Sequence, residues 1–149
     1  MTLSNMNKSA MHELGMAHVS VNRTMSEFYQ TVLRRYGLTT IEWLILGAVA
    51  DASPEGGIRV TDLANSFNVK STYMTTTLNA LRERDLVEAR LDAGDARVRL
   101  AYITTEGIKQ VAVIERYLQK EISHLLNGII SSDELEKYSR VIQKLSRML

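Results

Sequence analysis

The sequence contains no cysteine. That absence excludes disulfides, thiol catalysis, zinc-finger ligation and thiol-based redox sensing. Long hydrophobic runs are missing as well. No stretch approaches the roughly 18 uninterrupted apolar residues of a membrane span, and the opening MTLSNMNKSAMHELG has no apolar run of signal-peptide length. The expectation is a cytoplasmic protein with no membrane partner. No charge of either sign is in excess, since 18 Lys and Arg stand against 17 Asp and Glu. A nucleic-acid argument must therefore come from where charges are placed. Glycine-rich phosphate loops, nucleophile elbows and paired catalytic carboxylates are absent, so no enzyme is expected. The three histidines, His12, His18 and His124, have no ligand-like spacing. Neither a metal site nor a cofactor is predicted.

Apolar residues make up 45% of the 149 positions, enough for one compact domain or a small module with helical extensions. From Met11 to Tyr36 the pattern is helical. Leu14, Val21 and Phe28 recur at heptad spacing, with His18, Met25 and Val32 between them, and Gly37 is a helix-ending glycine. Thr39 or Thr40 can cap a second helix near Glu42, with Ile41, Leu44, Ile45, Ala48 and Val49 as its face. The segment from Asp51 to Gly57, with Pro54, is the strongest turn signal in the chain.

A very short strand at Ile58 to Val60 precedes two short helices. Thr61 to Phe67 turns Leu63, Ala64 and Phe67 inward, and Ser71 to about Arg84 turns Met74, Leu78 and Leu81 inward. A tight turn, Asn68 to Lys70, joins them into a helix-turn-helix unit. Extended segments follow at Leu86 to Leu91 and Arg97 to Ile103, the latter alternating Val98, Leu100 and Tyr102. Between them, Asp92 to Ala96 forms a hairpin tip, or wing. Thr104 then caps a long helix with the stripe Ile108, Val111, Ile114 or Glu115, Leu118, Ile122 and Leu125. Ser131 and Glu134 form a capping-box pattern opening a last helix with Leu135, Tyr138, Ile142, Leu145 and Leu149 on one face.

The second helix of the pair carries the chemistry. Opposite its buried row lie Thr72, Thr76 and Asn79, flanked by Tyr73 and Thr75. Such groups can donate to phosphates, exchange hydrogen bonds with bases and touch thymine methyls. A run of β-branched threonines is not there for helix stability. Lys70, Ser71 and Arg82 complete the candidate DNA-binding set on this element. On the wing, Arg97 and Arg99 are placed two apart, on one strand face. Asp95 is close enough to orient the Arg97 guanidinium, and an arginine there can enter the minor groove.

The ordered set Val60-Thr-Asp-Leu-Ala64, Leu78-x-x-Leu81, Leu86-Val87, Asp95-x-Arg97 and Ile103-Thr104-x-x-Gly107 resembles the MarR family (multiple antibiotic resistance regulators), from about Leu38 to Gly107. The resemblance implies a mainly α winged helix-turn-helix fold with a small β-hairpin wing. The winged region would span about 38–104, with dimerisation helices at about 11–36 and 105–149 in a single domain. It also implies a ligand-responsive repressor that binds double-stranded DNA as a homodimer at a pseudo-palindromic operator, with Asp95 and Arg97 as the wing pair. Ligand response makes His18, Phe28, Tyr29, Tyr36 and Trp43 candidate contacts for a small aromatic effector.

Two positions depart from the family pattern. Thr76 stands where arginine is common, and Asp85 where glycine commonly closes the helix. From Arg59 to Arg99 seven basic residues face six acidic ones. The alternative reading is a helical protein–protein interaction module that keeps the winged fold without binding DNA.

Overall fold

The computed structural model describes residues 8–146. Its contacts gather into two compact units, Met1–Ile114 and Glu115–Leu149. Leu149, assigned to the last apolar stripe, lies outside the described residues.

Helix α1 runs Lys8–Leu33, beginning three residues before Met11, and tightens into a 3-10 turn at Arg34–Tyr36. Gly37 stops it at φ +63°, a left-handed conformation that suits glycine, and its N–H donates to the Arg34 carbonyl at 3.1 Å. Helix α2, Thr40–Ala52, opens with a reciprocal capping box. The Glu42 amide donates to Thr39 Oγ1 at 3.3 Å, and the Thr39 amide donates to Glu42 Oε2 at 2.7 Å.

The winged region follows from Ile58. Strand β1 is only Ile58–Arg59, because Val60 already begins α3, Val60–Ser66. Helix α4 is Ser71–Glu83, and Asp85 reverses the chain after it at φ +57°. The aspartate thus occupies the left-handed position that the sequence comparison reserved for glycine, as short polar side chains can. Strands β2, Val87–Leu91, and β3, Arg99–Ile103, pair antiparallel with Ala89 opposite Ala101. β1 adds to the other edge of β3 with Ile58 opposite Ala101, so the sheet order is β1-β3-β2.

Leu33, Ile45, Leu46, Leu63, Met74, Leu81, Leu86 and Ile114 are fully buried and form the core of the first unit. The expected face of α2 is corrected, since Leu44 is exposed and Leu46 is buried. Apolar residues run nearly all the way round α2, so periodicity offered no contrast there. In β3 the deeply buried residue is Ala101, while Leu100 and Tyr102, and Val98 just before the strand, are only partly covered. The central strand has neighbours on both edges.

Helix α5 is Thr105–Leu126 and α6 is Ser132–Ser146. Thr104 caps α5 by accepting from the Gly107 amide at 2.9 Å. Ser131 and Glu134 cap α6 reciprocally, and the two hydrogen bonds from Ser131 hold the Glu134 carboxyl below its ordinary pKa. On α5, Val111, Ile114 and Leu118 are buried as expected, but Ile108 and Leu125 are exposed. Among the described residues no helix is long and apolar enough to cross a membrane.

Candidate nucleic-acid interface

Helix α4 is held from behind by Met74, Leu78 and Leu81. Its entry turn places Asn68 at φ +51°, and the Val69 amide closes back on the Ala64 carbonyl at 3.0 Å. No side chain caps the first turn of α4 and no acidic residue lies within it. The partial positive charge of that helix end is therefore offered to solvent beside Lys70. Ser71, Thr72, Tyr73, Thr75, Thr76 and Asn79 are all exposed, as the helical wheel required. Thr77, not singled out from sequence, belongs to the buried row at 8% exposure. The hydroxyls of Thr75, Thr76 and Thr77 donate to the carbonyls of Ser71, Thr72 and Tyr73 at 2.8, 3.0 and 3.0 Å.

The wing tip is organised by its two aspartates. Asp92 Oδ1 accepts from the amides of Gly94 and Asp95 at 2.8 and 3.1 Å, and the Asp92 amide donates to the Val98 carbonyl at 3.0 Å. Asp95 Oδ1 accepts from the backbone N–H of Arg97 at 2.9 Å. Two expectations are corrected here. Asp95 orders the backbone of the tip, in the manner of an Asx turn, instead of orienting the Arg97 guanidinium. Arg97 itself lies in the turn and not on the strand, which begins at Arg99, so the two arginines do not share a strand face. Both remain exposed.

Between α4, the start of α3 and the wing lies a cleft of about 380 Å³. Six of the residues expected to meet DNA line it: Ser71, Thr75, Asn79, Arg82, Arg97 and Arg99. Lys70, Thr72, Tyr73, Thr76 and Asp95 are not part of its lining. Arg59 also lines the cleft and was not among the predicted site residues. It arrives there because β1 pairs with β3 and sets Arg59 opposite Leu100. A basic residue immediately before the Val60 helix start was the only sequence signal for it. Arg59, Arg82, Arg97 and Arg99 enter no ion pair among those of the described residues, whereas Glu88, also in the lining, is paired with Arg90. The cleft thus carries four arginines against one carboxylate although the chain as a whole is nearly neutral.

Arg84, likewise not predicted, fixes the exit of α4. Its two terminal nitrogens donate to the carbonyls of Gly37 and Tyr36 at 2.7 and 2.8 Å. Gln110 on α5 reaches the same Tyr36 carbonyl at 3.4 Å.

The candidate effector residues divide. Tyr29 stacks on Trp43 with ring centroids 5.5 Å apart and meets Phe28 edge-on at 5.6 Å. Burial pushes the Tyr29 phenol above its ordinary pKa. Tyr36 contributes its carbonyl to the Arg84 clamp. His18 is exposed on α1, about 15 Å along the helix from Phe28 at 1.5 Å per residue. Neither the cleft beside α4 nor a cavity of about 200 Å³ between Ile122 and Leu135 is lined by any of these five residues. Among the described residues no three His, Asp or Glu side chains gather as a metal site would require.

The family model described as MarR family matches residues 36–98, the stretch that contains the helix-turn-helix and most of the wing. Solved structures share the architecture over nearly the whole chain. AbsC, a MarR family transcriptional regulator from Streptomyces coelicolor, is 16% identical with a TM-score of 0.80, over 96% of this chain and 95% of AbsC. A mutant MarR from E. coli complexed with operator DNA is 19% identical with a TM-score of 0.75, over 97% of this chain and 99% of that one. The S. aureus MepR–DNA complex is 18% identical with a TM-score of 0.73, over 91% and 98%.

Proposed function

On the premise that residues 36–98 carry the MarR-family winged region, we propose that this chain is a transcriptional regulator that binds double-stranded DNA sequence-specifically as a homodimer. The observation that carries the reading is the cationic cleft, where Arg59, Arg82, Arg97 and Arg99 border the threonine face of α4. In helix-turn-helix proteins the second helix enters the major groove by its N-terminal end. Here that end is uncapped and carries Ser71, Thr72 and Tyr73, all exposed. The wing would then meet the backbone or the minor groove through Arg97.

Dimerisation is supported by apolar residues left uncovered on both terminal helices. Met11, Leu14, Met16, Val19 and Val21 on α1 and Leu135, Tyr138, Val141 and Leu145 on α6 are exposed in the single chain. Burying exposed apolar surface is the usual driving force for subunit association. A two-fold dimer would read two half-sites roughly 34 Å apart, hence a pseudo-palindromic operator.

The regulator acts as a repressor whose affinity responds to a small aromatic effector near Phe28, Tyr29 and Trp43. That stack joins α1 to α2, so a ligand inserted there would alter the relation between the N-terminal helix and the winged region. Binding to genomic DNA places its work in the cytoplasm.

Gel shifts with the DNA upstream of its own coding sequence, titrated with salt, test the reading. A specific complex is expected, with affinity falling steeply as salt rises. Absence of any complex at low salt would leave the protein-interaction alternative.

A further inference from the structure

The hydroxyl-rich face of α4 leaves three chemistries open in sequence: donation, acceptance and apolar contact. One is already committed in the folded chain. A threonine hydroxyl has a single hydrogen, and in Thr75 and Thr76 it is donated to the helix's own carbonyls at 2.8 and 3.0 Å. Both side chains are exposed on the outer surface of the helix. With the hydroxyl turned back along the helix, the methyl is the heavy-atom branch not engaged by the helix's own hydrogen bonds, and the oxygen keeps only acceptor capacity. Thr77, which is buried, makes the same bond to Tyr73. The arrangement is thus a property of this helical stretch, indifferent to solvent exposure.

We propose that Thr75 and Thr76 read DNA through their methyl groups and acceptor lone pairs, and that the preferred half-site places A·T pairs, with thymine methyls toward α4, where these residues meet the major groove. This rests on the DNA-binding reading above. Guanine offers N7 and O6, both acceptors, to the major groove, and meeting them needs a donor these threonines have already spent. Cytosine offers an amino donor but no methyl. Only the A·T pair offers both an amino donor, adenine N6, and a methyl, thymine C5. Arg82, Arg97 and Arg99 in the adjoining cleft supply charge, so the threonines need not contribute to phosphate binding.

The test begins with selection of binding sites from a randomised duplex pool by the full-length protein. Each selected thymine is then replaced by deoxyuridine, which removes only the C5 methyl. The parent protein should lose about fourfold in affinity at one or two positions of each half-site, the worth of one buried methyl group at roughly 0.8 kcal/mol. Thr76→Ser or Thr75→Ser, which keeps the hydroxyl and deletes the methyl, should bind the thymine site more weakly. At one such position that variant should no longer distinguish thymine from deoxyuridine. Thr76→Val, which keeps a methyl and deletes the hydroxyl, should still distinguish thymine from deoxyuridine. Selection of guanine at a position whose preference vanishes in Thr76→Val would show the hydroxyl donating outward and overturn the proposal. A salt-sensitive, selected operator indifferent to deoxyuridine throughout would overturn it while leaving the DNA-binding function standing. Failure to select any sequence would remove both.

Discussion

Gly107 shows how one absent side chain can hold a junction together. A Cβ at this position would lie 2.2 Å from the Leu86 carbonyl oxygen and 2.7 Å from the Ile103 side chain. The carbonyl is backbone and has little room to yield, because the Thr104 amide donates to it at 3.2 Å. Gly107→Ala is therefore expected to destabilise the fold by about 1–3 kcal/mol or more, read as a lowered thermal midpoint, although alanine is the better helix former. An unchanged or raised midpoint would mean that α5 can slide away from Leu86 at no cost. Charge acts at the same scale in the cleft. Arg97→Ala and Arg59→Ala should each weaken binding to many sequences alike. If each meets a phosphate, each should lower the slope of log affinity against log salt by about one per monomer. Arg59 is the sharper test, since only the β1–β3 pairing brings it to the cleft. A slope unchanged in Arg59→Ala would place DNA elsewhere. Tyr29 contributes to the alkaline pH dependence, because burial raises its phenol pKa. The unfolded chain gives up that proton first, so its contribution to stability is complete below about pH 10 and is lost as pH rises through the folded value. Tyr29→Phe should flatten the alkaline limb of a stability–pH profile, and an unaltered limb would contradict the burial.

Between elements, the decisive contact is the Arg84 fork. Two parallel N–H donors hold the consecutive carbonyls of Tyr36 and Gly37, where α1 gives way to α2. They tie the exit of α4 to the end of the N-terminal helix. Lysine has one compact ammonium and cannot reproduce that planar two-point grip. Arg84→Lys and Arg84→Ala are both expected to lower DNA affinity several-fold while leaving the selected sequence unchanged, because the residue positions α4 without facing the groove. A changed sequence preference would instead make Arg84 a base-reading residue. The side-chain contacts of the wing tip and the helix starts act over a few residues. The aspartates of the wing tip bind amides two or three positions ahead, and the caps of α2, α5 and α6 bind the third residue of the turn they open.

For the molecule as a whole, the exposed apolar residues of α1 and α6 demand cover, and a second copy of the chain is the proposed source. Removing residues from Ser131 onward should give a monomer or an aggregate by light scattering. A truncated chain that remains a well-behaved dimer would remove α6 from the interface. If the two recognition helices are held at a fixed separation by that interface, the truncated chain should also lose most of its operator affinity, since each half-site would be bound singly.

Much of this protein was legible in its residues because the relevant physics is local. Thr39 with Glu42, Thr104 with Gly107 and Ser131 with Glu134 announce helix starts within a single turn. The order of two short helices followed by a glycine-bearing hairpin identifies the winged unit, and the period of Met74, Leu78 and Leu81 places Thr72, Thr75 and Thr76 on the outer face of α4. Where apolar residues surround a helix, as in α2, the same periodicity could not choose between Leu44 and Leu46. The tertiary structure decided what depends on chain segments far apart. Strand pairing carried Arg59 into the cleft, and Arg84 found carbonyls 47 and 48 positions away. It also decided which way hydroxyls and carboxylates turn: the threonines toward their own helix and Asp95 toward a backbone amide. Composition states which hydrogen bonds a side chain can make, but the choice among them belongs to the packed backbone, which presents one partner at bonding distance.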